Sequence, residues 1–204
     1  MDFPAPDGTL LAWCEIDGQA IFLDIAGDRY FRLDGQDNRA FLDQAVGPGR
    51  ERWHQPDALP RPPDWQAPRR TCPDMQQGPF RLADVAQAMW MQRRVERRLA
   101  SHPLANVLFD THRLLRPRAV ACEQAQARMV RAFEYARLLR TAADRCLPRS
   151  LALALCLAAR DVPAHVVIGV KLAPFAAHCW VQRGDMVLGD TAEEALRYTP
   201  ILVL

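Results

Sequence analysis

Between residues 10 and 34 the apolar positions fall into three short runs, 10–16, 20–25 and 29–33, separated by Asp17-Gly18 and Gly27-Asp28. Asp-Gly between two strand-forming runs is a hairpin pattern. In the second run Ile21, Leu23 and Ile25 alternate with Phe22 and Asp24. In the third, Tyr30 and Arg32 point one way and Phe31 and Leu33 the other. The pattern predicts a three-stranded antiparallel meander. Ala40, Phe41 and Ala45 then recur at helical spacing, so a short helix over 36–46 covers one face, and Gly47-Pro48-Gly49 stops it. A meander with one helix is a thin core and needs help from a later part of the chain.

Seven prolines between residues 50 and 80 make that segment a linker or extended loop, with Trp53 and Trp65 as candidates to dock on a neighbouring surface. An alternative is a degenerate helix over 50–60 belonging to the first module. From Leu82 the period becomes helical, with Ala88, Met91, Val95 and Leu99 on one side and Arg93, Arg94, Arg97 and Arg98 on others. Pro103 closes that region. A further helix is predicted over 121–142, with Cys122, Ala125, Met129, Phe133, Ala136 and Leu139 on one face. A third begins near Cys146, with Pro148 in its first turn and an apolar stripe of Leu151, Ala154, Leu155 and Ala158. After Asp161-Val162-Pro163 come a strand over 165–172, a strand opening on His178, a turn at Arg183-Gly184-Asp185 and a return over 186–190.

The chain has 204 residues, half of them hydrophobic, which allows one large or two small domains with a sizeable core. Its net charge of +2 hides an asymmetry. Residues 1–50 carry nine acidic and four basic side chains; residues 51–140 carry nine and sixteen. Separate modules fit that split, and an acidic start argues against nucleic acid as a partner. The arginines at 93–98 read as a solvated face before they read as an anion-binding surface. The first residues show neither a basic n-region nor an apolar h-region, so a cytoplasmic protein with six reduced cysteines is expected. No two cysteines have CxxC spacing, and the cysteines and histidines match no usual zinc pattern, so neither a metal nor another cofactor is expected.

The chemistry concentrates at Cys146, His178 and Asp190. A cysteine at a helix N-terminus meets free N–H groups and the positive end of the dipole, which favour the thiolate. His178 and Asp190 on two arms of a hairpin lie near each other across the ladder. An imidazole that takes the thiol proton and a carboxylate that orients it complete a nucleophilic series. Each residue also has a bland reading: a small buried cysteine, a structural histidine, and an aspartate that ends a strand or caps 191–196. Cys156 reads as core, His165 as surface, and Cys179 faces away from His178 by strand alternation.

The run CLPRSLALALCLAARDVPAHVVIGV, then PFAAHCWVQ and a final Asp, resembles the transglutaminase-like core of the lasso peptide biosynthesis B proteins, leader peptidases of ribosomally made, modified peptides. AIFLDIAGDRYFRLD resembles the PqqD-like recognition element that precedes that core in fused members. The resemblance implies an α+β protein: a small three-stranded antiparallel sheet with a winged-helix-like helical part, then a transglutaminase-like, papain-like helix-plus-antiparallel-sheet domain. It implies a recognition element over 1–50, ending there or inside the Pro-rich segment, a linker over 51–80 and a peptidase domain over 81–204. Cys146 would be the nucleophile, His178 the base and Asp190 the orienting carboxylate. A leader would add as a strand along Asp28, Arg29, Tyr30, Phe31, Arg32 and Leu33. The partners implied are a precursor peptide and an asparagine-synthetase-like, ATP-dependent lasso cyclase, with an export transporter as a further candidate. Acyl transfer to an amine by the same three residues, or a non-catalytic leader-binding adaptor, are the alternatives.

Overall fold

The computed structural model describes residues 10–46, 52–73, 76, 79–115, 123–139 and 145–204. The expected helix stop at Gly47-Pro48-Gly49, and residues 121, 122 and 140–142 of the expected helix over 121–142, lie outside these residues.

The meander forms as β1 (Leu11–Ile16), β2 (Gln19–Asp24) and β3 (Arg29–Arg32). Ile16 pairs with Gln19, so Asp17 and Gly18 alone make the turn, and both have positive φ, at 50° and 78°. That is the backbone a two-residue type I′ hairpin demands, and the reason Asp-Gly stands there. The Asp24 carboxylate accepts from the Gly27 N–H at 2.8 Å and the Arg29 Nε at 3.0 Å, fixing the second turn. The sheet has a fourth strand, β4 (Trp53–His54), in the order β3-β2-β1-β4, so the expected three strands become four. Its extended backbone and the turns after it also replace the degenerate helix considered for 50–60.

Alternation gives this sheet two apolar faces. Trp13, Ala20 and Phe22 pack with Phe31 and with Phe41, Leu42 and Ala45 of α1 (Gly35–Ala45). Buried Asn38 ties α1 to the hairpin: its Oδ1 accepts from the Ala20 N–H at 2.9 Å and its Nδ2 donates to the Gly18 carbonyl at 2.8 Å. Among the described residues α1 is the whole helical part of this module, where the resemblance implied a winged-helix-like one. The other face, Ala12, Cys14, Ile21 and Leu23, belongs to the main core together with Leu151, Val166 and Leu202. The thin first module thus gains its second layer from the rest of the chain.

The second sheet runs β5-β8-β7-β6-β9: β5 (Arg70–Thr71), β6 (His165–Lys171), β7 (Ala176–Arg183), β8 (Met186–Leu188) and β9 (Thr199–Val203). All pairs are antiparallel except β5–β8. The helices α2 (Leu82–Ser101), α3 (Leu104–Leu114), α4 (Glu123–Leu139) and α5 (Cys146–Ala158) supply the other layer. The apolar stripe expected on α5 is wider than four residues: it buries Ser150 through Ala154 together with Cys156 and Leu157, while Leu155 is half-buried. A helix apolar nearly all round is a central helix, packed by α2, α4 and the sheet.

The Pro-rich segment runs along both sheets. Gln55 pairs with the backbone of Val203, donating at 3.0 Å and accepting at 3.1 Å. Buried Gln182 donates to the Gln66 carbonyl at 2.6 Å and accepts from the Trp180 Nε1 at 2.9 Å. Trp53 and Trp65 stack edge to face at 5.7 Å against the cluster built on Trp180. Short pairings of this kind satisfy buried polar groups without long strands. Among the described residues no helix is long and apolar enough to cross a membrane.

Candidate active site

Cys146 is the first residue of α5, and Pro148 sits in the first turn, where a missing N–H removes no helix hydrogen bond. One turn on, buried Ser150 donates to the Cys179 carbonyl at 2.8 Å. That bond straps the head of α5 to β7 and brings Cys146 beside His178. The strand starts two residues before His178 rather than on it, and β8 ends at Leu188, two residues before Asp190. Gly189, with φ of 76°, makes the bend between them; a Cβ there would lie 3.0 Å from the Leu153 side chain.

The bend aims Asp190 back at β7. Its Oδ2 lies 2.7 Å from His178 Nε2, and its Oδ1 accepts from the Thr191 N–H at 2.7 Å. With Nε2 engaged, Nδ1 is the ring nitrogen left for the thiol. The imidazole has two ring neighbours, Tyr198 at 5.0 Å and Trp180 at 6.1 Å. Gly169 is the register partner of His178 on β6. A Cβ at 169 would meet the Trp180 ring at 2.8 Å and the Tyr198 Cβ at 3.0 Å. Glycine is therefore what lets Trp180 lie flat beneath the histidine.

The electrostatics follow from these contacts. Burial opposes ionisation of Cys146, but the hydrogen bond and charge of His178, with the Cys179 and Leu147 N–H groups, bring the thiol below its ordinary value. Burial likewise opposes the imidazolium, yet Asp190 and Cys146 raise His178 to about 9. Asp190 is lowered: burial resists, and His178, the Thr191 N–H and the charge of Arg149 prevail. The three titrate as one unit, and the arrangement can hold a thiolate against an imidazolium. Burial has the opposite result elsewhere, raising Cys14 to about 12 and Cys156 to about 11, and raising Cys179 as well. Cys179 faces the core, as strand alternation predicts, and His165 lies 3.3 Å from the exposed carboxylate of Asp64.

A small cleft at this corner is lined by Cys146, Arg149, Ser150, His178, Trp180 and Asp190. Arg149 forms an ion pair with Glu134, buried on α4, and Glu134 also holds Arg137 at 3.1 Å. Sequence reasoning passed over Arg149, Glu134, Gly169 and Tyr198. Arg149 and Ser150 stand three and four residues after Cys146, a spacing that puts them on its face of the helix; nothing local marks the other three. Among the described residues no three metal-ligating side chains cluster.

The residues expected to hold a leader are spread around β3. Asp28 is a turn residue with φ of 48°, and Arg29 pairs with Asp24. Tyr30 turns to the main core and Phe31 to α1, stacking on Phe22 at 4.9 Å. Arg32 is exposed, and Leu33 packs under α1. Among the described residues β3 pairs with β2 alone, so its outer edge is open.

A helix-borne cysteine facing a hairpin-borne His and Asp is the arrangement of a thiol nucleophile with a base and an orienting carboxylate. The family model of the transglutaminase-like superfamily matches residues 89–203, and the chain belongs to that superfamily. A narrower likeness is to the microcin J25-processing protein McjB of Escherichia coli, 47% identical over 45 residues, which is 22% of each chain. No solved structure matches. Membership of the superfamily supports an enzyme.

Proposed function

We propose that this protein is a cysteine leader peptidase that hydrolyses the bond between leader and core of a lasso precursor peptide. The observation that carries the reading is Asp190 hydrogen-bonded to His178, with His178 lining the same cleft as Cys146 at the head of α5 and lowering its thiol pKa. The likeness of a 45-residue segment to McjB supports the substrate class.

In this mechanism the Cys146 thiolate attacks the carbonyl of the last leader residue. The Leu147 and Cys179 N–H groups, which help lower the thiol pKa, are the candidate donors for the oxyanion. His178 gives its proton to the departing core amine, and a thioester to the leader remains. Water, deprotonated by His178, then releases the leader acid and restores the thiolate. Asp190 keeps the imidazole oriented and charged in the first step. The leader adds to the open edge formed by Asp28, Arg29, Tyr30, Phe31, Arg32 and Leu33, so that leader binding selects the peptide to be cut. The freed core amine is the group an asparagine-synthetase-like cyclase would acylate, and a transporter would export the product.

The test is incubation with a candidate lasso precursor peptide, followed by mass spectrometry. The wild-type protein should yield one leader and one core fragment, and Cys146→Ala neither. Full activity of Cys146→Ala would refute the mechanism. Binding of the precursor without cleavage would favour the adaptor, and transfer of the leader acyl group to an added amine would favour acyl transfer.

A further inference from the structure

Tyr30 belongs to the N-terminal sheet, yet its side chain leaves that sheet on the face that packs against the catalytic layer. There its ring meets Phe175 edge to face, with centroids 5.7 Å apart and planes at 62°. Phe175 lies in the turn before β7, three residues from His178, and is 51% exposed. Among the described residues the Tyr30 hydroxyl makes no hydrogen bond, although the residue is only half-buried. Burial raises its pKa above the ordinary value, and the charges of Cys179 and Cys146 raise it further. One aromatic pair, half from each module, therefore joins β3 to the turn that leads into the His178 strand.

We propose that Tyr30 and Phe175 form a substrate-binding wall beside the Cys146 cleft, receiving an apolar side chain of the peptide near the scissile bond while the Tyr30 hydroxyl donates to a peptide carbonyl. This rests on the peptidase reading and sharpens it. The N-terminal sheet then does more than hold a distant leader: it completes the site in which the bond is cut. An extended peptide paired with β3 is already alongside Tyr30, so recognition and cleavage share one surface. Exposed aromatic rings favour apolar or aromatic side chains, because rings gain area burial and edge-to-face contact without desolvating a charge.

The proposal is tested by alkylating Cys146 in the full-length protein with three reagents: Ala-Phe chloromethyl ketone, Ala-Asp chloromethyl ketone and iodoacetamide. In the two peptidyl reactions the thiolate forms a thioether and chloride leaves. The wild-type protein should prefer the Phe reagent to the Asp reagent. Tyr30→Ala and Phe175→Ala should each cut that preference about three- to tenfold, the range of a single aromatic contact, with iodoacetamide rates within about twofold. Tyr30→Phe keeps the ring, so it should keep the preference while slowing both peptidyl reagents about threefold to tenfold through the lost hydrogen bond. Unchanged preference in Tyr30→Ala and Phe175→Ala, with the wild type selective, would overturn the wall and leave the peptidase reading standing. A wild-type protein that reacts with peptidyl reagents without preference and cleaves no precursor would overturn both.

Discussion

The corner where α5 meets β7 and the outer edge of β3 are opposites in how their polar groups are satisfied. At the corner His178 Nε2, both Asp190 oxygens and the Ser150 hydroxyl have assigned partners. At β3 a run of backbone groups faces outward with no strand beside it among the described residues. A closed network fixes one geometry and one charge state, which is what a nucleophile requires. An open edge fixes nothing until a peptide arrives, which is what selection requires. The comparison teaches that reactivity and choice of substrate are separable here, and that Tyr30 and Phe175 are where they meet.

The separation can be broken most severely at the corner. Cys146→Ala or His178→Ala should lower the rate of precursor cleavage by about 10⁴-fold or more in single-turnover assays, the scale for losing a member of a nucleophile–base unit. Asp190→Asn keeps the shape and removes the charge. Cleavage should fall about 10²-fold or more, because the imidazolium loses its support. The pH at half-maximal iodoacetamide alkylation of Cys146 should also rise, since a less charged His178 lowers the thiol pKa less.

Gly169→Ala should cost about 1–3 kcal/mol by forcing Trp180 or Tyr198 to move, read as a lower midpoint in urea. Cleavage should drop with it, because those rings neighbour His178. Phe41→Ala sharpens the comparison from the other side. Phe41 packs on Trp13 and Phe22, so its loss should cost a similar amount, about 1–3 kcal/mol, while Cys146 alkylation stays within about twofold. The smallest effect is on stability against pH. With His178 raised to about 9, its contribution is complete below its ordinary value near 6.5 and is lost as pH rises through about 9. A thermal melt series across pH 6 to 10 should fall less steeply in His178→Gln than in the wild type.

Much of this organisation was legible in the sequence where local pattern and tertiary role agree. Asp17-Gly18 specified its turn because few other pairs tolerate two positive φ values. The head of α5 was legible from Cys146 and Pro148, and the β7–β8 hairpin from Arg183-Gly184-Asp185. What escaped notice depends on partners far along the chain. Pro103 ends one helix by pattern, but it also serves as the N-cap of α3. Thr199–Val203 contains Pro200, which argues against a strand; it is accommodated at the sheet edge, next to a register shift in β6. The two-residue strands β4 and β5 are too short to show any period. The joint core was also invisible: the face of β1 and β2 that carries Ala12, Cys14, Ile21 and Leu23 is buried against the catalytic layer. Deleting the first 50 residues would strip that core, so point variants are the sounder way to separate the modules.

The central claim is that Cys146 carries the leader as a thioester. Acid-quenched mixtures of Asp190→Asn with precursor peptide, digested and mapped by mass spectrometry, test it directly. The account predicts a peptide containing Cys146 whose mass is increased by the leader less one water, and its disappearance on treatment with hydroxylamine. Cleavage of the precursor that persists in Cys146→Ala, with no adduct at Cys146 in either protein, would contradict it.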